Sequence, residues 1–231
     1  MKTELRLDRC QYNGAMTENN PKSGNFRLIA LAILVGALSA AGGILLWNVM
    51  QGSQESPTST LMVLPEPRVI ADFALVDDAG QPFSLENLRG HWTLMFFGFT
   101  NCPDICPSAL YDLNLVSEKL AELRGAKPPA VQVVFVSVDP ERDTAEKLSE
   151  YLGYFNPVFI GVTGSQAQLK PLAMQLGIAY EIEEHEPGAE RYDVYHSVSF
   201  LLTDPDGHLY GVFPAPHDAE KITSDLVAAI D

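Results

Sequence analysis

The sequence TLMFFGFTNCPDICPSALYDLNLVSEKL spans residues 93–120 and contains two patterns in succession. Its first part, Thr93–Phe99, is a continuous apolar run, as expected of a strand that is buried on both faces. Its second part repeats apolar residues at helical spacing: Leu110, Leu113, Val116 and Leu120, followed by Leu123. A buried strand that leads directly into an amphipathic helix indicates an α/β fold.

The residues on both sides continue the alternation of strands and helices. One hairpin is predicted around Asp78–Gly80 and another around Asp204–Gly207. The pattern also predicts strands over 131–138 and 158–162, and helices over 139–155, 165–176 and 218–230. Asp139 is the predicted N-cap of the first of these helices. A β-α-β half followed by a β-β-α half is the thioredoxin pattern, so we expect a thioredoxin-like α/β domain with an N-terminal hairpin extension.

Two cysteines, Cys102 and Cys106, lie where the buried strand is predicted to meet its helix. Residues four apart share a face of a helix, and the positive end of the helix dipole favours thiolate over thiol. The pair is therefore a candidate for redox chemistry or for binding a soft metal ion. Buried packing cysteines or a permanent disulfide are the structural alternatives, but neither explains a position at the end of the sheet where α/β ligand sites form.

A metal site would need a third ligand, and the chain has five histidines. His91, His208 and His217 are expected on the surface. His185 falls in an acidic stretch, where we expect a solvated loop, with a weak cation site as the alternative. His196 differs because it precedes an apolar run that enters the sheet, and a thioredoxin-like fold brings that strand start towards the cysteines. The alternative is an ordinary polar residue at the end of a strand.

Three segments resemble the Sco/SenC family, membrane-anchored copper proteins of the thioredoxin superfamily: GFTNCPDICPSAL from Gly98, SVDPERDT from Ser137 and HSVSFLLTDPDG from His196. The first segment is the most specific, because ordinary thioredoxins have two residues between their cysteines and this chain has three. The resemblance implies that Cys102, Cys106 and His196 are copper ligands. It also implies a copper chaperone that assists assembly of the dinuclear copper centre of cytochrome c oxidase, by handing over copper, by reducing that site's cysteines, or both. The implied partners are the copper-bearing subunit of the oxidase and a periplasmic copper donor.

Ligand chemistry agrees with this implied copper site. Two thiolates and an imidazole suit Cu(I), and Cu(II) could bind the same trio with added water or a carboxylate. A structural zinc site normally has four ligands. Asp104 and Asp139 are candidates to lie just outside the ligands, or else serve only as a first-turn dipole partner and a helix N-cap. Many relatives carry Asp immediately before the histidine where this chain has Tyr195, so the partner of the second ring nitrogen stays open.

A periplasmic thiol-disulfide oxidoreductase is the alternative function. The same dithiol can oxidise to a disulfide and exchange with the thiols of a partner protein. This chemistry uses Cys102 and Cys106 as a redox-active pair and leaves His196 without a role, whereas copper delivery needs all three residues. A peroxidase is less well supported because no peroxidatic constellation is evident. Cys10 lies before the apolar segment at the N-terminus and belongs to neither activity.

The segment Leu28–Trp47 has 20 residues and no charge. As a helix it would be about 30 Å long, the thickness of the hydrocarbon core of a bilayer. A cleaved signal peptide is the alternative, but its apolar region is usually only about 7–15 residues long. Five basic residues precede the segment and the next one is Arg68, so the N-terminus is expected in the cytoplasm.

Four regions are therefore predicted: a cytoplasmic segment 1–27, a single transmembrane anchor 28–49, a linker 50–67 and a thioredoxin-like copper-binding domain 68–231. The predicted location is the bacterial inner membrane, with the domain in the periplasm. The net charge of −15 argues against nucleic-acid binding, which needs clustered Lys and Arg. The acidic surface would steer a basic partner or simply keep the domain in solution.

Overall fold

The described residues of the computed structural model are 26–51, 59–124 and 131–230. The chain forms two compact units, Met1–Pro57 and Thr58–Asp231. Helix α1, Phe26–Gln51, belongs to the first unit. Within the described residues, no helix combines the length and the apolar character that crossing a membrane requires. Residues 1–25 of the predicted cytoplasmic segment, with Cys10, and residues 52–58 of the predicted linker lie outside the described part of the chain.

Strands and helices alternate through the second unit. The strands are β1 Met62–Val69, β2 Ala74–Asp77, β3 Pro82–Ser84, β4 Trp92–Gly98, β5 Val131–Ser137, β6 Ile160–Thr163, β7 Tyr180–Ile182, β8 Val194–His196, β9 Phe200–Thr203 and β10 His208–Phe213. The helices are α2 Ile105–Arg124, α3 Ala145–Gly153, α4 Gln166–Leu176 and α5 Ala219–Ile230, with a short 3-10 turn at Leu85–Asn87.

The main sheet has the strand order β1-β10-β9-β4-β5-β6-β2-β3, and β7 pairs with β8 in a separate two-stranded sheet. All seven residues of β4 are buried, as predicted for the apolar run. Strand β4 is parallel to β5 and antiparallel to β9. The units β4-α2-β5 and β9-β10-α5 therefore confirm the mixed α/β thioredoxin pattern, and β2 and β3 form the predicted hairpin.

The sheet begins earlier in the chain than the composition indicated. Residues 62–67, which the sequence assigned to the linker, lie in β1, and β1 pairs antiparallel with β10 at the edge of the sheet. Pro65 and Pro67 made this segment look like a tether. An edge strand tolerates proline because one side of its backbone has no ladder bonds to lose.

The helix predicted to start at Asp139 starts later, and its predicted N-cap was wrong. Helix α3 begins at Ala145, and the hydroxyl of Thr144 accepts its capping bond from the Lys147 N–H at 3.3 Å. Residues 139–143 form a turn in which the Asp143 N–H donates to the Asp139 carbonyl at 2.9 Å. The Asp139 carboxylate instead accepts hydrogen bonds from Arg142 and Tyr192, one on each oxygen.

Candidate metal centre

Both cysteines lie in residues 99–106, the cysteine turn, which joins β4 to the first turn of α2. The Cys102 N–H donates to the Phe99 carbonyl at 3.4 Å, and the Cys106 N–H in the first turn of α2 donates to the Cys102 sulfur, also at 3.4 Å. Cys106 is fully buried, Cys102 is partly exposed, and both are free thiols. The turn thus presents one sulfur to solvent and keeps the other inside.

A buried carboxylate, Asp143, fastens this turn to the main sheet. It accepts the Thr100 N–H at 2.8 Å, the Thr100 hydroxyl at 2.5 Å and the Ser137 hydroxyl at 2.6 Å. The ammonium of Lys147 lies 3.4 Å from it and donates to the Asn101 side chain at 2.6 Å. The position of the cysteine turn is therefore set by the end of β5 and the start of α3.

Gly98, the last residue of β4, lets the Cys106 sulfur approach the strand. A Cβ at this position would lie 2.7 Å from a ring carbon of Phe135 and 2.8 Å from the Cys106 sulfur. Both contacts are too short for a methyl group. The glycine that interrupts the apolar run is thus required by the packing of the site.

His196 completes a group of three ligand atoms. Its Nε2 lies 3.3 Å from the Cys106 sulfur, and the ligand atoms of Cys102, Cys106 and His196 all lie within 4.8 Å of one another. Its Nδ1 lies 2.9 Å from the Ser197 carbonyl, which can only accept a hydrogen bond, so Nδ1 carries the proton and the lone pair of Nε2 faces the Cys106 sulfur. The partner of the second ring nitrogen is therefore a backbone carbonyl. Tyr195, which stands where many relatives carry Asp, is 63% exposed.

The sequence predicted that His196 lies where the chain enters the main sheet, and this position was wrong. His196 ends β8, and the chain enters the main sheet four residues later at Phe200. The expected proximity to the cysteines is nevertheless present. The structure therefore brings together all three residues that the sequence singled out, although His196 arrives on a different element.

Burial dominates the ionisation of two of these groups. It raises the pKa of the Cys106 thiol well above its usual range, and the neighbouring Cys102 contributes in the same direction. It also lowers the pKa of His196, against the opposing effect of the Ser197 carbonyl. For Cys106 this reverses the expectation that the helix start favours thiolate. A soft cation that binds here displaces a proton from Cys106 and meets an imidazole that is already neutral.

The other histidines differ partly from their expected surface positions. His185 stacks on Tyr192 with ring centroids 3.6 Å apart, and His217 stacks on Phe200 at the same distance. Both rings are partly buried, because each packs on an aromatic neighbour that the sequence pattern could not pair with it.

His208 lies near Asp204 and Asp206 at the β9–β10 turn, with ligand atoms within 4.8 Å of one another. One Asp204 oxygen already accepts the Asp206 and His208 N–H groups, which accounts for that cluster as a turn.

A cleft of about 490 Å³ opens beside the three ligand atoms. Cys102, His196, Tyr192, Tyr195 and the exposed Asp104 are among its lining residues. The cleft gives a partner's side chains access to the partly exposed sulfur. The arrangement can hold one soft metal ion or exchange a disulfide with a second protein.

Asp139 is fully buried and ion-paired with Arg142, and it is not among the residues that line the cleft. Sequence reasoning did not assign roles to Arg142, Asp143 or Tyr192. Two of them belong to the SVDPERDT segment, whose charged residues directly follow a buried strand. That combination is the signal that could have marked Arg142 and Asp143 as supports of the site. No local pattern marks Tyr192.

The family described as SCO1/SenC matches residues 63–231 of the chain. A Stutzerimonas stutzeri protein, whose name provisionally describes it as copper-binding, is 41% identical over 174 residues, 75% of this chain and 82% of that protein. The SCO1 homolog 1 of Arabidopsis thaliana mitochondria is 38% identical over 158 residues, 68% of this chain and 46% of its own length. The chain therefore spans less than half of that plant relative.

Solved structures give the same result. Copper-bound ScoI of Arabidopsis thaliana matches with a TM-score of 0.63 and 37% identity, covering 69% of this chain and 97% of that one. BsSco, described as having a disulfide switch and as a member of the Sco family of cytochrome c oxidase assembly proteins, matches with a TM-score of 0.57 and 26% identity, covering 73% of this chain and 97% of its own. This chain belongs to the SCO1/SenC family.

Proposed function

We propose that the chain binds one copper ion through Cys102, Cys106 and His196. The observation that carries the proposal is the convergence of two sulfurs and the lone pair of an imidazole Nε2 within 4.8 Å of one another. Soft sulfur ligands with an imidazole prefer Cu(I), and the same set accepts Cu(II). The copper-bound plant ScoI structure supports copper as the ion.

The copper is proposed as cargo rather than as a permanent cofactor. A partly exposed Cys102 that lines a cleft is suited to ligand exchange with an incoming cysteine or methionine of a partner. The proposed recipient is the copper-bearing subunit of cytochrome c oxidase, where the ion enters the dinuclear centre, and the proposed source is a periplasmic copper donor. The description of BsSco as an oxidase assembly protein supports this role.

The proposed chaperone is anchored in the bacterial inner membrane by residues 28–49, with residues 1–27 in the cytoplasm and the domain in the periplasm. Support comes from the 20 uncharged residues Leu28–Trp47 and from the basic residues that precede them. An anchored domain would meet a membrane-embedded oxidase without free diffusion through the whole compartment.

A thiol-disulfide exchange function is the second candidate, favoured by the unequal exposure of the two sulfurs. In this proposal the Cys102 thiolate attacks a partner disulfide and forms a mixed disulfide, with one partner thiolate leaving. Cys106 then displaces the second partner sulfur, so the partner gains two electrons and the Cys102–Cys106 pair loses them. Oxidised cysteines cannot bind copper, and the two activities therefore exclude each other at any moment.

An anaerobic Cu(I) titration against a competing chelator tests the choice between copper binding and thiol-disulfide exchange. The purified full chain would be compared with His196→Ala, the Cys102→Ser/Cys106→Ser double variant, and His208→Ala as the matched histidine control. We expect one tight equivalent that the double variant loses and His208→Ala keeps. His196→Ala should bind at least about 10- to 100-fold more weakly, because it loses a direct ligand.

Weak binding by the wild-type chain, or an affinity that ignores His196, would reject the copper proposal. The reduction potential of the Cys102–Cys106 disulfide would then decide whether thiol exchange takes its place. A potential too positive for the dithiol to reduce a partner disulfide would reject that second candidate as well.

A further inference from the structure

The position of His196 depends on an arm, residues 180–196, that stands outside the main sheet. The arm consists of β7, its connecting loop and β8, and its register pairs Tyr180 with His196 and Ile182 with Val194. Within the described residues, the ladder bonds of β8 go to β7 alone. Side-chain contacts must therefore hold the arm, and with it His196, against the cysteine turn.

Tyr192, four residues before His196, carries the densest set of these contacts. Its hydroxyl donates to one oxygen of the buried Asp139 at 2.5 Å, and its backbone carbonyl accepts from Arg142 Nη1 at 3.2 Å. Arg142 also donates from Nε to the other Asp139 oxygen at 2.5 Å and from Nη1 to the Glu190 carbonyl at 3.4 Å. This network fastens the arm to the turn that follows β5.

Contacts with aromatic rings extend this network to His196. The Arg142 guanidinium lies over the Tyr192 ring, 3.6 Å from its centroid, and over the Phe99 ring at 5.7 Å. Phe99 in turn meets the His196 ring edge to face, with centroids 5.8 Å apart and planes at 89°. Phe99 also supplies the carbonyl that accepts the Cys102 N–H. The column formed by Tyr192, Arg142 and Phe99 thus reaches both halves of the metal site: the Phe99 ring contacts His196, and the Phe99 backbone bonds Cys102.

We propose that Tyr192 is the positioning residue for His196: it clamps the arm onto Arg142 and so holds the imidazole Nε2 within reach of the Cys106 sulfur. Tyr192 itself does not touch the ion. Its ring supplies the cation–π contact and its hydroxyl the bond to Asp139, so the two parts of the side chain can be removed separately. The consequence for metal binding rests on the proposed copper site, whereas the consequence for the position of His196 does not.

The first test uses no metal. Nuclear Overhauser contacts between the His196 and Phe99 rings would be measured in the full chain for wild type, Tyr192→Phe and Tyr192→Leu, with Tyr154→Leu as a control at a 78% exposed tyrosine. We expect the contact to be kept in Tyr192→Phe and in the control, and to be lost or strongly weakened in Tyr192→Leu. An unchanged contact in Tyr192→Leu would overturn the proposal.

The second test is a double-mutant cycle of Cu(I) affinity. Tyr192→Leu should weaken binding about 10-fold and Tyr192→Phe about 3-fold, as expected of residues that orient a ligand. In a His196→Ala background the same changes should have less than about a 2-fold effect, because a residue that acts through His196 loses its influence with it.

Equal losses with and without His196 would show a merely structural role and overturn the proposal. Unfolding midpoints of all variants identify any that fail to fold. If Tyr192→Leu fails to fold, the double-mutant cycle uses Tyr192→Phe, which retains the ring. If the wild-type chain itself does not bind copper, the proposed function fails, and the ring contacts of the metal-free chain still decide the role of Tyr192.

Discussion

The cysteine half and the histidine half of the site are supported in different ways. Cys102 and Cys106 extend directly from β4, a fully buried strand that pairs with β5 on one side and β9 on the other. His196 ends a two-stranded arm that side chains hold in place. One half is thus part of the global fold, and the other is an attachment to it.

This difference indicates where the two halves obtain their stability. Moving the buried Cys106 disturbs the packing of α2 against β4, whereas release of the arm breaks no ladder bond of the main sheet. The proposed transfer of copper would benefit from such a division. The sulfurs stay in place while the third ligand can be withdrawn when a partner takes the ion.

The largest effect is expected from the core beneath the cysteines. Phe135→Ala removes a fully buried ring on β5 and should lower the free energy of unfolding by about 3–5 kcal/mol. Val194→Ala, at a buried position of the arm, should cost clearly less because fewer buried atoms are lost. Urea unfolding monitored by circular dichroism measures both. Equal losses would contradict the division into a global half and an attached half.

Asp143→Asn tests the fastening of the cysteine turn to the sheet. The change weakens charge-assisted bonds at a fully buried position and should cost about 2–3 kcal/mol of unfolding free energy. Cys106 should also react faster with a maleimide. Asp104→Asn, at an exposed carboxylate on the same turn, is the matched control and should change neither quantity. A stable Asp143→Asn variant with slow thiol labelling would contradict the assigned role.

Gly98→Ala tests the close approach of Cys106 to β4. The added methyl group meets Phe135 and the Cys106 sulfur at less than 3 Å, so we expect a loss of about 1–3 kcal/mol together with weaker Cu(I) binding. Gly153→Ala is the control, since its Cβ has nothing within 4 Å. If both variants are equally stable and bind copper equally well, Gly98 does not shape the site.

The smallest effect concerns His217, which stacks on Phe200 in the main sheet. Burial lowers the pKa of His217, so the unfolded chain binds the proton more tightly than the folded one. Stability should therefore decrease as the pH falls through the ordinary histidine pKa of about 6.5. His217→Gln should flatten this decrease and leave copper affinity unchanged, with His208→Gln as the control. Thermal unfolding at a series of pH values measures this pH dependence of stability. Identical stability profiles for wild type and His217→Gln would contradict the assignment of the decrease to His217.

The division between the cysteine half and the histidine half also explains which parts of the site could be predicted from the sequence. The cysteine half is local: the apolar run, the turn and the helical repeat are contiguous, so strand β4, helix α2 and the cysteine pair could be predicted together. His196 is 90 residues beyond Cys106, and no local pattern joins them; the expected thioredoxin-like topology placed them close together, and the family resemblance added the role of His196 as a ligand. The clamp on the arm was missed, because the bonds of Tyr192 join residues about fifty positions apart and no periodicity marks such a pair.

Two errors had physical causes that recur in other proteins. Pro65 and Pro67 concealed an edge strand, where proline is tolerated. Asp139 resembled a helix N-cap because Asp followed by Pro is typical of a helix start, yet its carboxylate is used in long-range bonds. Gly98 was a signal that could have been used, since an isolated glycine in a strand often marks a close approach.

X-ray absorption spectroscopy of the full chain with one equivalent of Cu(I) tests the central claim most directly. We expect two sulfur atoms and one imidazole nitrogen around the copper ion, and loss of the nitrogen in His196→Ala with both sulfurs retained. A shell of sulfur alone in the wild type, or a spectrum unchanged by His196→Ala, would contradict the claim that the arm supplies the third ligand.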